Sequence, residues 1–204
     1  MRTSIWLVRH VQTEYNREQR YQSHSNSPIT AYGIRQQAAL AHRLRRIPFT
    51  LALTTATERT QATAAAILAN RQAPVPTLID PAWAESAHGT WEGLTYREVL
   101  QRYPTEAHQR FADALHGRAS GGESLADVAA RVQQGWLALL REHAGGRILI
   151  VTHATPIRIV LSSLTGMPLP QHWQWRIDLA SITAIDVYAS SPIIRVVNEV
   201  PRLL

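Results

Sequence analysis

Short, continuous apolar runs alternate along this chain with longer stretches of helical period, which confines it to a layered fold built on a mostly parallel sheet. Residues 4–9, SIWLVR, and 147–152, RILIVT, read as strands buried on both faces, because neither shows the apolar/polar alternation of a half-solvated strand. Further short strands are expected from Phe49 to Leu53 and near Leu78 and Ile79. Thr30 should cap a helix over about 31–46 with an apolar stripe of Ala38, Leu40, Ala41 and Leu44, and RTQATAAAILA should form the next helix. From Ser124 to His143, Leu125, Val128, Ala129, Val132, Trp136, Leu139 and Leu140 recur at helical spacing until Gly145 and Gly146 stop the helix. HATPIRIVLSSLTG turns from its strand directly into a helix, with Pro156 near the first turn. Ser181 to Tyr188 and Ile193 to Asn198 read as closing strands separated by a Ser-Ser-Pro turn. The expected fold is therefore α/β: a three-layer sandwich whose mostly parallel central sheet has an antiparallel edge strand and helices on both faces.

A chain of 204 residues, 45% hydrophobic, can bury one substantial core, so one domain over 1–204 is expected. Residues 83–122 are less regular apart from the helix-like TYREVLQRY, and read as a partly helical insertion over the end of the sheet where the site would lie. There is no cysteine, which removes disulfides, thiol nucleophiles and cysteine-ligated metals and fits a reducing cytoplasm. The first residues show neither a signal peptide nor a membrane anchor, their apolar run being broken by Arg9 and His10.

The formal charge is +6, and all 21 basic residues are Arg. They are dispersed, with only Arg43, Arg45 and Arg46 clustered, which argues against a nucleic-acid surface and for a few arginines converging on one small anion.

Ligands of open α/β sheets bind beyond the carboxyl ends of the strands, and two strands here end in histidine. Arg9-His10 closes SIWLV, and His153 closes RILIVT just before a helix whose free N–H groups could meet an anion. Arg59 starts the helix after the strand at 51–53 and falls on the same edge. Two imidazoles and two guanidinium forks suit the holding and transfer of a phosphoryl group, although each residue alone is more often structural.

Six stretches in order resemble the histidine phosphatase (phosphoglycerate mutase-like) superfamily. LVRHVQTEYN is similar to its leading LVRHG motif, and YQSHSNSPITAYGIRQQA, TTATERTQATA, ESAHGTWEGL, GGES and VTHATPIR resemble the motifs that follow. The resemblance covers nearly the whole chain. It implies a phosphatase acting on a small phosphorylated metabolite through a phosphohistidine, with no metal cofactor. His10 would be the nucleophile, and Arg9, Arg59 and His153 would stabilise the transferred group. Glu85 would protonate the leaving oxygen and then deprotonate water. Asn16, Gln22, Ser23 and Ala154 would be phosphate or substrate contacts. No nucleic acid or membrane partner is implied, and a homodimer is left open because no surface can be told from a core face.

Four positions depart from the family pattern: Val11 and Ser23 replace glycine, Asn26 replaces Asp, and Thr57 replaces Leu. Val11, beside the nucleophile, is expected to narrow the pocket or slow catalysis. The rivals are a phosphoglycerate mutase, disfavoured by the short spacing from Glu85 to GGES, and an inactive binding module with Val11 as its lesion. A zinc hydrolase is a third, disfavoured because none of the nine histidines pair at HxH or HxxxH spacing.

Overall fold

The computed structural model describes residues 1–189 and 191–203. Its strands are β1 (Arg2–Arg9), β2 (Leu51–Thr54), β3 (Thr77–Ile79), β4 (Arg147–Thr152), β5 (Ile182–Tyr188) and β6 (Ser191–Glu199). They form one sheet in the order β3-β2-β4-β1-β5-β6, in which β1 to β4 run parallel while β5 is antiparallel to β1 and β6 to β5. The expected antiparallel edge is thus two strands wide. Ser190, part of the expected Ser-Ser-Pro turn, lies outside the described residues.

The pleat explains the continuous apolar runs. Ile5 and Leu7 of β1, with Ile148 and Ile150 of β4, pack beneath α6 (Leu125–Glu142) and α7 (Ala154–Thr165). Trp6, Val8, Leu149 and Val151 point the other way, toward α2 (Ala31–Leu44) and α3 (Glu58–Leu68). Both strands are covered on both sides, so their central residues, 5–8 and 148–151, are apolar without alternation. The helices of the two layers start where expected, with Thr30 accepting the Gly33 N–H at 2.9 Å and Ser124 closing a capping box with Asp127.

Three expectations need correcting. The buried face of α2 runs through Gly33, Gln36, Ala39, Leu40 and Leu44, while Ala38 is exposed and Ala41 half-buried. A polar residue lies inside that face because the Gln36 side-chain carbonyl accepts the Gln12 N–H at 2.9 Å, so counting apolar residues shifted the stripe. The second strand begins at Leu51 rather than Phe49, whose ring instead packs edge-on against Trp6 at 5.5 Å. Residues 83–122 hold two helices where one was read, α4 (Tyr96–Arg102) and α5 (Pro104–Ala112), with Pro104 at the first turn of the second. They bury a small cluster of their own, Trp91, Val99, Ala107 and Ala119. The four-residue α1 (Glu14–Arg17) was also unmarked. No helix among the described residues is long and apolar enough to cross a membrane.

Candidate active site

Parallel pairing of β1 with β4 brings Arg9 opposite Thr152, and the ladder extends one residue, with the His10 N–H donating to the Thr152 carbonyl at 3.0 Å. The two strand-terminal histidines therefore leave the sheet side by side. Their rings meet edge to face with centroids 5.2 Å apart, and they are 4% and 0% exposed. His10 Nδ1 lies 2.8 Å from the Val11 carbonyl oxygen, which can only accept. That contact assigns the proton to Nδ1 and leaves the lone pair on Nε2. Burial foremost, then the charges of Arg59 and Arg9, hold His10 well below its ordinary 6.5, so the ring is neutral at neutral pH.

Arg59 stands in the first turn of α3 and is 2% exposed. Its Nη2 donates to the Ser23 carbonyl at 2.6 Å and faces His153 Nδ1 at 3.3 Å, and its Nη1 donates to the Ser25 carbonyl at 3.1 Å. Arg9 donates from Nη1 to the Ile177 carbonyl at 2.7 Å. The Nε atoms of both arginines are buried without an acceptor. Burial pushes Arg59 down to about 10 and lowers Arg9 as well, against the opposing pull of Glu85 in both cases. Two desolvated cations with spare N–H groups and two neutral imidazoles make an arrangement that suits an anion.

A cavity of about 380 Å³ opens on Arg9, His10 and Glu85 and is closed on its outer side by Arg20, Tyr21, His88 and Tyr96. Asn16 and Gln22 line it, and the Thr13 hydroxyl, with one proton to give, lies 3.0 and 2.8 Å from their side-chain oxygens. Arg59 and His153, in contact with one another, are not among its lining residues but stand directly behind His10, whose ring packs on that of His153. Ser23 and Ala154 do not line it either. Ser23 instead holds Arg59 through its carbonyl and is itself held by Glu92, which accepts the Ser23 N–H at 2.8 Å and the Ser23 hydroxyl. Burial pushes the Glu92 carboxyl up, but the bonds from Ser23 and Ser25 win and keep it below its ordinary value.

Val11 does not narrow this cavity. Its side chain is fully buried among Trp6, Val8 and Leu40, on the α2 and α3 side of the sheet. Its φ is not positive, so the backbone here does not call for the glycine usual in the family.

Sequence reasoning missed the support of Glu85. Arg131, on α6, donates to the carbonyls of Ala82, Ala84 and Glu85 at 3.1, 2.8 and 3.0 Å, and pairs with Glu123 at 2.8 Å. Glu123 also accepts the Ala87 N–H at 2.9 Å. GGES was visible as a motif, but nothing in the helical pattern of α6 marked Arg131. Gly89 and Gly122 let the two stretches pack backbone on backbone: a Cβ on Gly89, at φ +53°, would stand 2.1 Å from the Ser120 carbonyl oxygen, and one on Gly122 would stand 2.7 Å from the Ala87 carbonyl oxygen. Among the described residues no three His, Asp or Glu side chains gather as a metal site would need.

Residues 5–200 match the histidine phosphatase superfamily, branch 1. The chain belongs to that superfamily. An adenosylcobalamin/alpha-ribazole phosphatase from Escherichia coli is 32% identical over 196 residues, 96% of this chain and 95% of the relative. A phosphoserine phosphatase 1 from Hydrogenobacter thermophilus is 32% identical over 181 residues, 88% of this chain and 84% of the relative. The crystal structure of the alpha-ribazole phosphatase from Shigella flexneri superposes with a TM-score of 0.90 at 31% identity, covering 98% of both chains. Most of these relatives are named as phosphatases, and a probable phosphoglycerate mutase from Cronobacter sakazakii is 30% identical over 188 residues, 92% of this chain and 86% of the relative.

Proposed function

We propose that this histidine phosphatase hydrolyses a small phosphorylated metabolite through a phosphohistidine formed on His10, without a metal. The observation that carries this is the unbalanced charge behind His10: two buried guanidinium groups with unpartnered Nε atoms beside an imidazole whose Nε2 lone pair is free. In the first step Nε2 attacks phosphorus, the P–O bond to the leaving alcohol breaks, and Arg9, Arg59 and His153 stabilise charge on the equatorial oxygens. Glu85 gives its proton to the departing oxygen, then takes one from the water that attacks the phosphohistidine and returns His10 to its starting state.

Hydrolysis accords with the names of the phosphatases at 32% identity, while relatives at 30% identity are named probable phosphoglycerate mutases. The short spacing from Glu85 to GGES also supports hydrolysis, the two stretches meeting where the Glu123 N–H donates to the Ala87 carbonyl at 2.9 Å. We read residues 1–204 as one catalytic unit, with residues 83–122 as its substrate-facing cap, placed in the cytoplasm with its metabolite. One chain supplies every group this mechanism uses.

Hydrolysis of an aryl phosphate, with a chelator present, tests the reading. Turnover by the natural protein that is lost in His10→Ala is expected, whereas turnover retained by His10→Ala, or abolished by the chelator, would overturn it.

A further inference from the structure

His153 is packed differently from His10, and the difference lies in three threonines. Thr55 follows β2, Thr57 precedes α3 and Thr60 sits in the first turn of α3; all three are buried. The Thr55 hydroxyl lies 3.1 Å from His153 Nε2, 2.9 Å from the Thr60 hydroxyl and 3.0 Å from that of Thr57. The Thr60 hydroxyl also has the Thr57 and Thr55 carbonyls within reach, at 2.9 and 3.2 Å. Carbonyls only accept, so Thr60 can donate to one of them and accept from Thr55, an arrangement that leaves a Thr55 lone pair for His153.

The other side of the ring fixes the same answer. Arg59 Nη2 stands 3.3 Å from His153 Nδ1, and a guanidinium has donors only. A proton on Nδ1 would set two donors against each other. His153 therefore carries its proton on Nε2 and points a lone pair from Nδ1 toward Arg59, the opposite tautomer to His10. The groups that bear on its charge are Arg59 from α3, His10 and Arg9 from the end of β1, and Arg131 from α6, and none is acidic. With burial they keep the empty site's His153 neutral.

A phosphoryl group stabilised by His153 cannot face that lone pair, because two acceptors would meet. We propose that Thr55 fixes His153 with its proton on Nε2, and that binding of a phosphoryl group adds one solvent proton to Nδ1, so that the imidazolium donates to the ligand and to Thr55 at once. One N–H bond forms at Nδ1 with a proton from solvent, no other bond changes, and the charge of the dianion offsets that of the imidazolium. Thr55 is thereby a positioning residue acting through His153. The inference rests on the phosphate-seat reading above.

Two-bond ¹⁵N–¹H spectra of the full chain with labelled histidine test it, with tungstate as a tetrahedral dianion. In the free protein His10 should be protonated on Nδ1 alone and His153 on Nε2 alone, a result that needs no ligand. With tungstate, both nitrogens of His153 should carry protons, and the affinity should fall about tenfold for each unit rise in pH wherever the proton is fully taken up. Thr55→Val should weaken tungstate binding about tenfold at neutral pH while sparing its acid end, and Thr55→Ser should restore the profile. A purely structural role would weaken binding equally at every pH and would contradict the proposal. A free His153 protonated on Nδ1, or a bound one still singly protonated, would overturn this inference alone; failure of tungstate to bind would overturn the phosphate seat with it.

Discussion

The two walls of the cavity are built by different means. The inner wall, His10 with His153, Arg9 and Arg59 behind it, hangs from the ends of two in-register strands and the first turn of α3, and three of its four residues are almost fully buried. The outer wall, Arg20, Tyr21, His88 and Tyr96, belongs to short loops and small helices around the Trp91 cluster, and Tyr96 is 54% exposed. The Tyr21 and His88 rings meet at 5.0 Å, and Tyr21 meets Trp91 at 5.6 Å, but none of these contacts is tied to the sheet. A rigid scaffold fixes the groups that must meet phosphorus, and a less buried surface meets whatever alcohol is attached to it.

Substitutions on the two walls should separate in kind. On the proposed mechanism Arg59→Ala removes a donor to the transferred group, and it is expected to lower kcat by about 10²–10³ for every substrate, measured by steady-state hydrolysis. Equal effects on KM alone would move Arg59 out of the chemistry.

The inner wall should also make the empty protein acid-sensitive. His10 and His153 have folded-state values well below the ordinary 6.5, so the unfolded chain binds more protons as pH falls. Stability is full above that value and is lost as pH drops through it, by up to about 1.4 kcal/mol per pH unit for each histidine. Denaturant titrations at several pH values check this. His153→Asn should flatten the slope, and an unchanged slope would mean that other groups cause it.

On the outer wall Tyr96→Ala should change KM by about tenfold or less and unequally among substrates, leaving kcat for a small phosphomonoester near its starting value. A uniform loss of kcat would erase the distinction between the walls.

The same division decided what could be read in advance. RILIVT, the Thr30 and Ser124 caps and the α6 stripe were legible because burial on a regular sheet imposes a regular pattern. The charged groups of the inner wall were legible because they sit at strand and helix ends within recognisable motifs. Residues 83–122 were not, because their core is four residues gathered from separate turns, which leaves no period to find. The direction of Val11 depends on which face of the sheet follows the last strand residue, and the motif alone pointed to the wrong side. Thr55, Thr57 and Thr60 look like ordinary helix-start residues until His153, from the neighbouring strand, is placed against them.

The central claim is a covalent phosphoryl group on His10, and quenching the enzyme during turnover of a ³²P-labelled phosphomonoester tests it most directly. The account predicts acid-labile, base-stable label on the peptide containing His10 and none in His10→Ala. Turnover with no labelled intermediate, or label on His153, would contradict it.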